Sequence, residues 1–186
     1  MNKVLYAKGH RGLAVLEGML YKNFLPTCVV LEKAEPNLLT LTKRHNLEVI
    51  ICNQIKTEQH RKFLKKQMPD IVLAAGFSKI FPTDLIEIPT IDTINCHGGK
   101  LPQYRGASPI PWQIINGELK GACYILKMLK GIDDGEIYFE KEYEIEPTDD
   151  ATTISMKVDN MFRNEVPIIL EQLKAKKATL TPQSSQ

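Results

Sequence analysis

The chain has 186 residues, 43% hydrophobic and 25% charged, a balance that suits one soluble globular domain with a sizeable core. A formal net charge of only +2 argues against a partner held mainly through phosphates, such as a long duplex or tRNA. No apolar run nears the roughly 18 residues of a membrane span, and the opening "MNKVLYAKGH" lacks the pattern of a secretory leader.

In chain order, "KVLYA" reads as a strand and passes through Gly9 and Gly12 into "LAVLEGMLYKN", where Leu13, Val15, Leu16, Met19 and Leu20 recur at helical spacing. "TCVVLE" is a β-branched strand, "NLLTLTKRHN" a helix and "EVIIC" a strand. "TEQHRKFLKKQM" is a charged, outward-looking helix stopped by Pro69, which puts His60, like His45, on a helix surface, and "DIVLAA" is the next strand. Strands without clean apolar/polar alternation, separated by helices, predict a parallel sheet covered on both faces and wound by right-handed crossovers. After Gly76, "FSKIFPTDLIEIPT" is a connection with a short helical piece and "IDTINCH" a strand. "SPIPWQIING" starts on prolines tolerated in a first helical turn and stops at Asn116-Gly117.

"GACYILKML" and "EIYFEKEYEI" flank the turn-rich "KGIDDGE" as an antiparallel pair. Thr148 or Asp149 is the expected cap of a long last helix. Ile154, Val158, Met161, Phe162, Ile169 and Leu173 line its inner face, and a kink is expected near Pro167. The expected organisation is a single α/β domain over residues 1–180 with a disordered tail at 181–186, "TPQSSQ". Cys28, Cys52, Cys96 and Cys123 lie in or at the end of β-rich runs without C-x-x-C spacing. They read as buried, reduced thiols of a cytoplasmic protein, not as metal or disulfide partners.

The stretch "INCHGGKLPQYRGASPIPW" ends a strand with chemistry that folding does not require. Alternation along a strand sends Asn95 and His97 to one side and Cys96 to the other. Both stand at the carboxyl end of an expected parallel strand, where open α/β sheets bind ligands. Taken alone, Asn-x-His is more often a turn starter and its cap. The acidic turn "GIDDGEI", about 35 residues on, is alone more often a solvated hairpin. Together they offer an amide donor, a titratable imidazole and a carboxylate, a set suited to proton transfer with oxyanion stabilisation.

"NCHGGKLPQYRGASPIPWQIINGE" followed by "MLKGIDDGEI" resembles the folate-dependent formyltransferase domain shared by methionyl-tRNA formyltransferase, glycinamide ribonucleotide transformylase and sugar N-formyltransferases. The matching positions are Asn95, His97, Leu101, Pro102, Tyr104, Arg105, Gly106, Trp112, Ile114, Asn116, Gly117, Asp133 and Gly135. The resemblance covers essentially the whole chain. It implies a doubly wound, Rossmann-like, mostly parallel sheet with an antiparallel hairpin and a long final helix. It also implies transfer of a formyl group from 10-formyltetrahydrofolate, without a metal, and a place in one-carbon metabolism.

By the same resemblance Asn95, His97 and Asp133 are the catalytic trio, Asp133 being preferred to Asp134 because it stands two before Gly135. The pterin is expected against Phe77, Lys79, Ile80 and Phe81, and against Leu129, Gly131 and Ile132, although Ile80 and Phe81 read equally well as core residues. Substrate contacts are expected from His10 and Arg11 in "KGHRG", and from Gly98, Tyr104 and Arg105. Arg105 suits either a phosphate or a loop-pinning carboxylate. Asn95, with a protonated His97, can donate to the oxyanion while Asp133 accepts the amine proton.

The wording "HGGKLPQYRG" is most similar to enzymes that formylate a nucleotide-linked amino sugar in polysaccharide biosynthesis, and that acceptor is the expectation. Glycinamide ribonucleotide enzymes usually carry a Gly- and Ser-rich loop where this chain has "AKGHRG". Methionyl-tRNA enzymes carry a further C-terminal domain, so tRNA is the expectation only for a fragment. Formyltetrahydrofolate hydrolysis and a truncated, non-catalytic folate-binding module are the other readings, and a homodimer stays open.

Overall fold

The computed structural model describes residues 1–184. The strand and helix signals of the first half become β1 (Lys3–Ala7), α1 (Gly9–Tyr21), β2 (Cys28–Leu31), α2 (Pro36–Arg44), β3 (Glu48–Ile51), α3 (Glu58–Lys66) and β4 (Ile71–Ala75). There follow α4 (Thr83–Ile86), β5 (Asp92–His97), α5 (Pro109–Ile115), β6 (Lys120–Lys127), β7 (Ile137–Glu144) and α6 (Ala151–Lys174). One seven-stranded sheet runs β3-β2-β1-β4-β5-β6-β7, parallel through β5 and antiparallel for β6 and β7. The doubly wound sheet, the hairpin and the long final helix are as expected.

Because β1 and β4 are buried on both faces, their alternate residues feed two cores. Leu5 and Ala7 pack with α1, α5 and α6 residues, whereas Val4 and Tyr6 pack with Leu64, Phe81 and Leu85 on the other face. The α1–α6 contact is close. A Cβ built on Gly18 would lie 2.0 Å from the carbonyl oxygen of Arg163, so only glycine lets these backbones meet.

Several local expectations change. Asp150, not Thr148 or Asp149, caps α6: its carboxylate accepts from the Thr152 and Thr153 N–H groups, and the Thr153 hydroxyl returns a contact to the Asp150 N–H in a capping box. The helix continues through Pro167 to Lys174. His60 is 4% exposed, with Nε2 2.8 Å from the Tyr6 hydroxyl. The charged letters around it had hidden that α3 needs an inward face to cover the sheet. Cys28, Cys96 and Cys123 are buried free thiols, while Cys52, just past β3, is half-buried. Thr181–Ser184 are not a loose tail: Thr181 pairs with Ile137 through two backbone hydrogen bonds, and residues 185–186 lie outside the described residues.

Candidate active site

The sheet order reverses direction between β1 and β4, and the cleft outside their carboxyl ends is where open α/β sheets take ligands. A cavity of about 540 Å³ opens there, lined by Arg11 after β1, the Gly76–Phe81 turn after β4, Asn95 and His97 on β5, Gly106–Pro109, and Met128–Asp133 after β6. All seven residues expected against the pterin line it. Phe81 is also a core residue, 5% exposed and edge-on to Tyr6, whereas Ile80, Leu129 and Ile132 present exposed apolar surface.

Asn95, His97 and Asp133 meet in this cavity. Asn95 Nδ2 donates to Asp133 Oδ1 at 2.9 Å, and His97 Nδ1 lies 3.2 Å from Asp133 Oδ2. The Gly106 N–H adds a third contact to Oδ2 at 3.0 Å. Asp133 adopts φ +48°, a left-handed conformation that is uncommon outside glycine and that a short polar side chain such as Asp tolerates. The glycine of Asp-x-Gly has a steric reason: a Cβ on Gly135 would sit 1.9 Å from the Lys127 carbonyl oxygen.

His97 is 4% exposed, and both ring nitrogens are engaged inside the protein. Nε2 faces the Tyr104 carbonyl at 2.8 Å, an acceptor, so Nε2 carries a proton. The contact between Nδ1 and Asp133 Oδ2 holds a further proton, because two lone pairs would otherwise face each other. Burial pushes the imidazole below its ordinary value, with the Asp133 charge acting in the opposite direction. His97 therefore has no free N–H to offer an oxyanion in this geometry, in contrast to the expectation from sequence. The Asn95 amide keeps its second N–H uncommitted to Asp133.

The expected substrate contacts separate. Arg11 lines the cavity, yet its Nε is paired with Asp159 Oδ1 at 3.0 Å and its guanidinium lies over Phe162. Gly98 is buried against that guanidinium. His10 is exposed in a different hollow, with Lys8, Lys33 and Glu35, where Glu35 accepts the Gly9 N–H at 2.8 Å. Tyr104 gives its carbonyl to His97 and its hydroxyl to Glu118. Arg105 is not among the residues lining the cavity, and its guanidinium donates to the side-chain oxygen of Gln183 rather than to a loop-pinning carboxylate. Sequence reasoning missed the Gly106 N–H, the Tyr104 carbonyl and Gln183. Backbone groups leave no residue-type signal, and nothing in "TPQSSQ" distinguishes its first glutamine. Among the described residues no group of three or more His, Cys, Asp or Glu is placed to hold a metal ion, and no helix is long and apolar enough to cross a membrane.

Comparison with known proteins points to one family. A methionyl-tRNA formyltransferase from Caldicellulosiruptor saccharolyticus is 31% identical over 156 residues, covering 79% of this chain and 50% of the relative. The chain spans half or less of the length of the first curated relatives it matches. In fold it is similar to phosphoribosylglycinamide formyltransferase from Bacillus halodurans, with a TM-score of 0.83 at 19% identity, covering 95% and 96% of the two chains. It is also similar to an N-formyltransferase from Helicobacter canadensis solved with folinic acid and dTDP-3-aminofucose, with a TM-score of 0.78 at 18% identity, covering 100% and 68%. The formyl transferase family model matches residues 26–169, most of the sheet together with Asn95, His97 and Asp133, and the chain belongs to that family.

Proposed function

We propose that this chain carries out N-formyl transfer from 10-formyltetrahydrofolate to an amine. The observation that carries the reading is the convergence of Asn95, His97 and Asp133 on one cavity whose apolar rim suits a flat heterocycle. The amine nitrogen attacks the formyl carbon and forms a tetrahedral oxyanion, to which the second N–H of Asn95 donates. Asp133 takes the proton leaving the attacking nitrogen, directly or through water. His97, carrying one proton on Nε2 toward Tyr104 and a second on Nδ1 toward Asp133, is then an imidazolium that holds the carboxylate from behind, balances its charge and leaves it ionised to accept the amine proton. Collapse breaks the bond from carbon to the folate nitrogen, which keeps the electron pair and takes up the proton that Asp133 received, directly or through water, so that the carboxylate is restored. The products are a formamide and tetrahydrofolate.

The proposed acceptor is a nucleotide-linked amino sugar. The loop "HGGKLPQYRG" supports it. The sequence relatives favour methionyl-tRNA as a second reading. Buried free thiols fit a reducing, cytoplasmic setting.

The test incubates the chain with 10-formyltetrahydrofolate and, separately, nucleotide-linked amino sugars, glycinamide ribonucleotide, Met-tRNA or no amine, and follows formyl gain by mass spectrometry. Formylation of an amino sugar is expected. Formate release without any amine would replace transfer by hydrolysis, and folate binding with no turnover on any amine would make the chain a binding module.

A further inference from the structure

The segment after α6 turns back onto the site. Thr181 donates its N–H to the Ile137 carbonyl at 3.0 Å and accepts from the Ile137 N–H at 2.8 Å, adding one antiparallel step at the start of β7. Two residues on, the Gln183 side chain bonds two loops at once. Its Nε2 donates to the carbonyls of Asp133 at 2.7 Å and Gly135 at 2.9 Å. Its Oε1 accepts from Arg105 Nε at 3.2 Å and Nη2 at 2.6 Å. These are the loops that hold the carboxylate: one carries Asp133, and the other supplies the Gly106 N–H to Oδ2.

We propose that Gln183 is a positioning residue that clamps the Asp133 turn to the Tyr104–Gly106 turn and so keeps the carboxylate within reach of Asn95 and His97. The inference rests on the reading of Asp133 as the group that accepts the amine proton. Asp133 sits in a left-handed backbone conformation, and Gln183 bonds its carbonyl and that of Gly135. The residue type fits the task. Two carbonyls require N–H donors and Arg105 requires an acceptor, and a primary amide supplies both. Glutamate would keep Arg105 but turn an oxygen toward both carbonyls. Asparagine is one methylene shorter. The role also explains why Arg105 donates to Gln183 rather than to a carboxylate.

The test uses the full chain with Gln183→Ala and Gln183→Glu, read by hydrogen exchange and by steady-state kinetics. In both variants faster exchange is expected at residues 104–107 and 129–135, with the central strands unchanged. The fall in turnover is expected to be tenfold or more, since misplacement by about 1 Å can cost roughly 10² in rate, while KM for the folate stays near its original value. Unchanged exchange in both loops would overturn the clamp, as would a kinetic loss carried by KM alone or unaltered turnover despite loosened loops. Absence of formyl transfer by the unmodified chain on every acceptor would instead count against the reading of the site, and the exchange comparison would still decide the clamp.

Discussion

Asn95 has two N–H bonds and commits one of them to Asp133, which leaves the other for the oxyanion of the proposed reaction. Removal of a single oxyanion donor of this kind lowers turnover by roughly 10²–10³. Asn95→Ala is therefore expected to lose that much in kcat with a far smaller change in KM, measured by steady-state formyl transfer. His97 works differently, because Tyr104 and Asp133 use both of its nitrogens. These three side chains were legible in the sequence for physical reasons. A spacing of two puts Asn95 and His97 on one face of a strand, and Gly135 marks the tight approach that shapes the Asp133 turn. The Tyr104 carbonyl and the Gly106 N–H were not legible, because any residue could supply them.

Among the elements, α1, α5, α6 and the β6–β7 hairpin could be read from periodicity and turn residues, whereas the inward face of α3 could not. In "TEQHRKFLKKQM" the charged residues dominate any average, and the buried Tyr6–His60 contact depends on β1, far away in sequence. Burial pushes the His60 imidazole below its ordinary value. Its folded value is then lower than its unfolded value near 6.5, so the unfolded chain binds the proton more readily. The stability from neutral His60 is fully present above about pH 6.5 and is lost as pH falls through the folded value. Thermal melts from pH 7.5 to 5 should show that loss, and His60→Gln should flatten it. A second test concerns the α1–α6 contact. Gly18→Ala forces a methyl into the Arg163 carbonyl, and overpacking of this kind costs about 1–3 kcal/mol. A clearly lower melting temperature is expected, and an unchanged one would show that the helices can separate without cost.

At the scale of the molecule, the strand order makes the site. β1, β4 and β5 lie side by side and end at one edge of the sheet, while β6 runs antiparallel to β5 and ends opposite Ile94, and the loop after it folds back to bring Asp133 to Asn95. Residues 11, 77–81, 95–97 and 129–133 thereby surround one cavity although they span most of the chain. The parallel sheet was legible from unalternating apolar strands. The return of residues 181–184 to the site was not, because a short polar segment carries no periodicity and gains its order from loops already folded. The central claim is that the Asp133 carboxylate, presented into this cavity, accepts the proton of the attacking amine. The most direct measurement compares the intact chain with Asp133→Ala under saturating 10-formyltetrahydrofolate and amine, with folate affinity measured in parallel. The account predicts retained folate binding and loss of most formyl transfer; near-normal turnover by Asp133→Ala would contradict it.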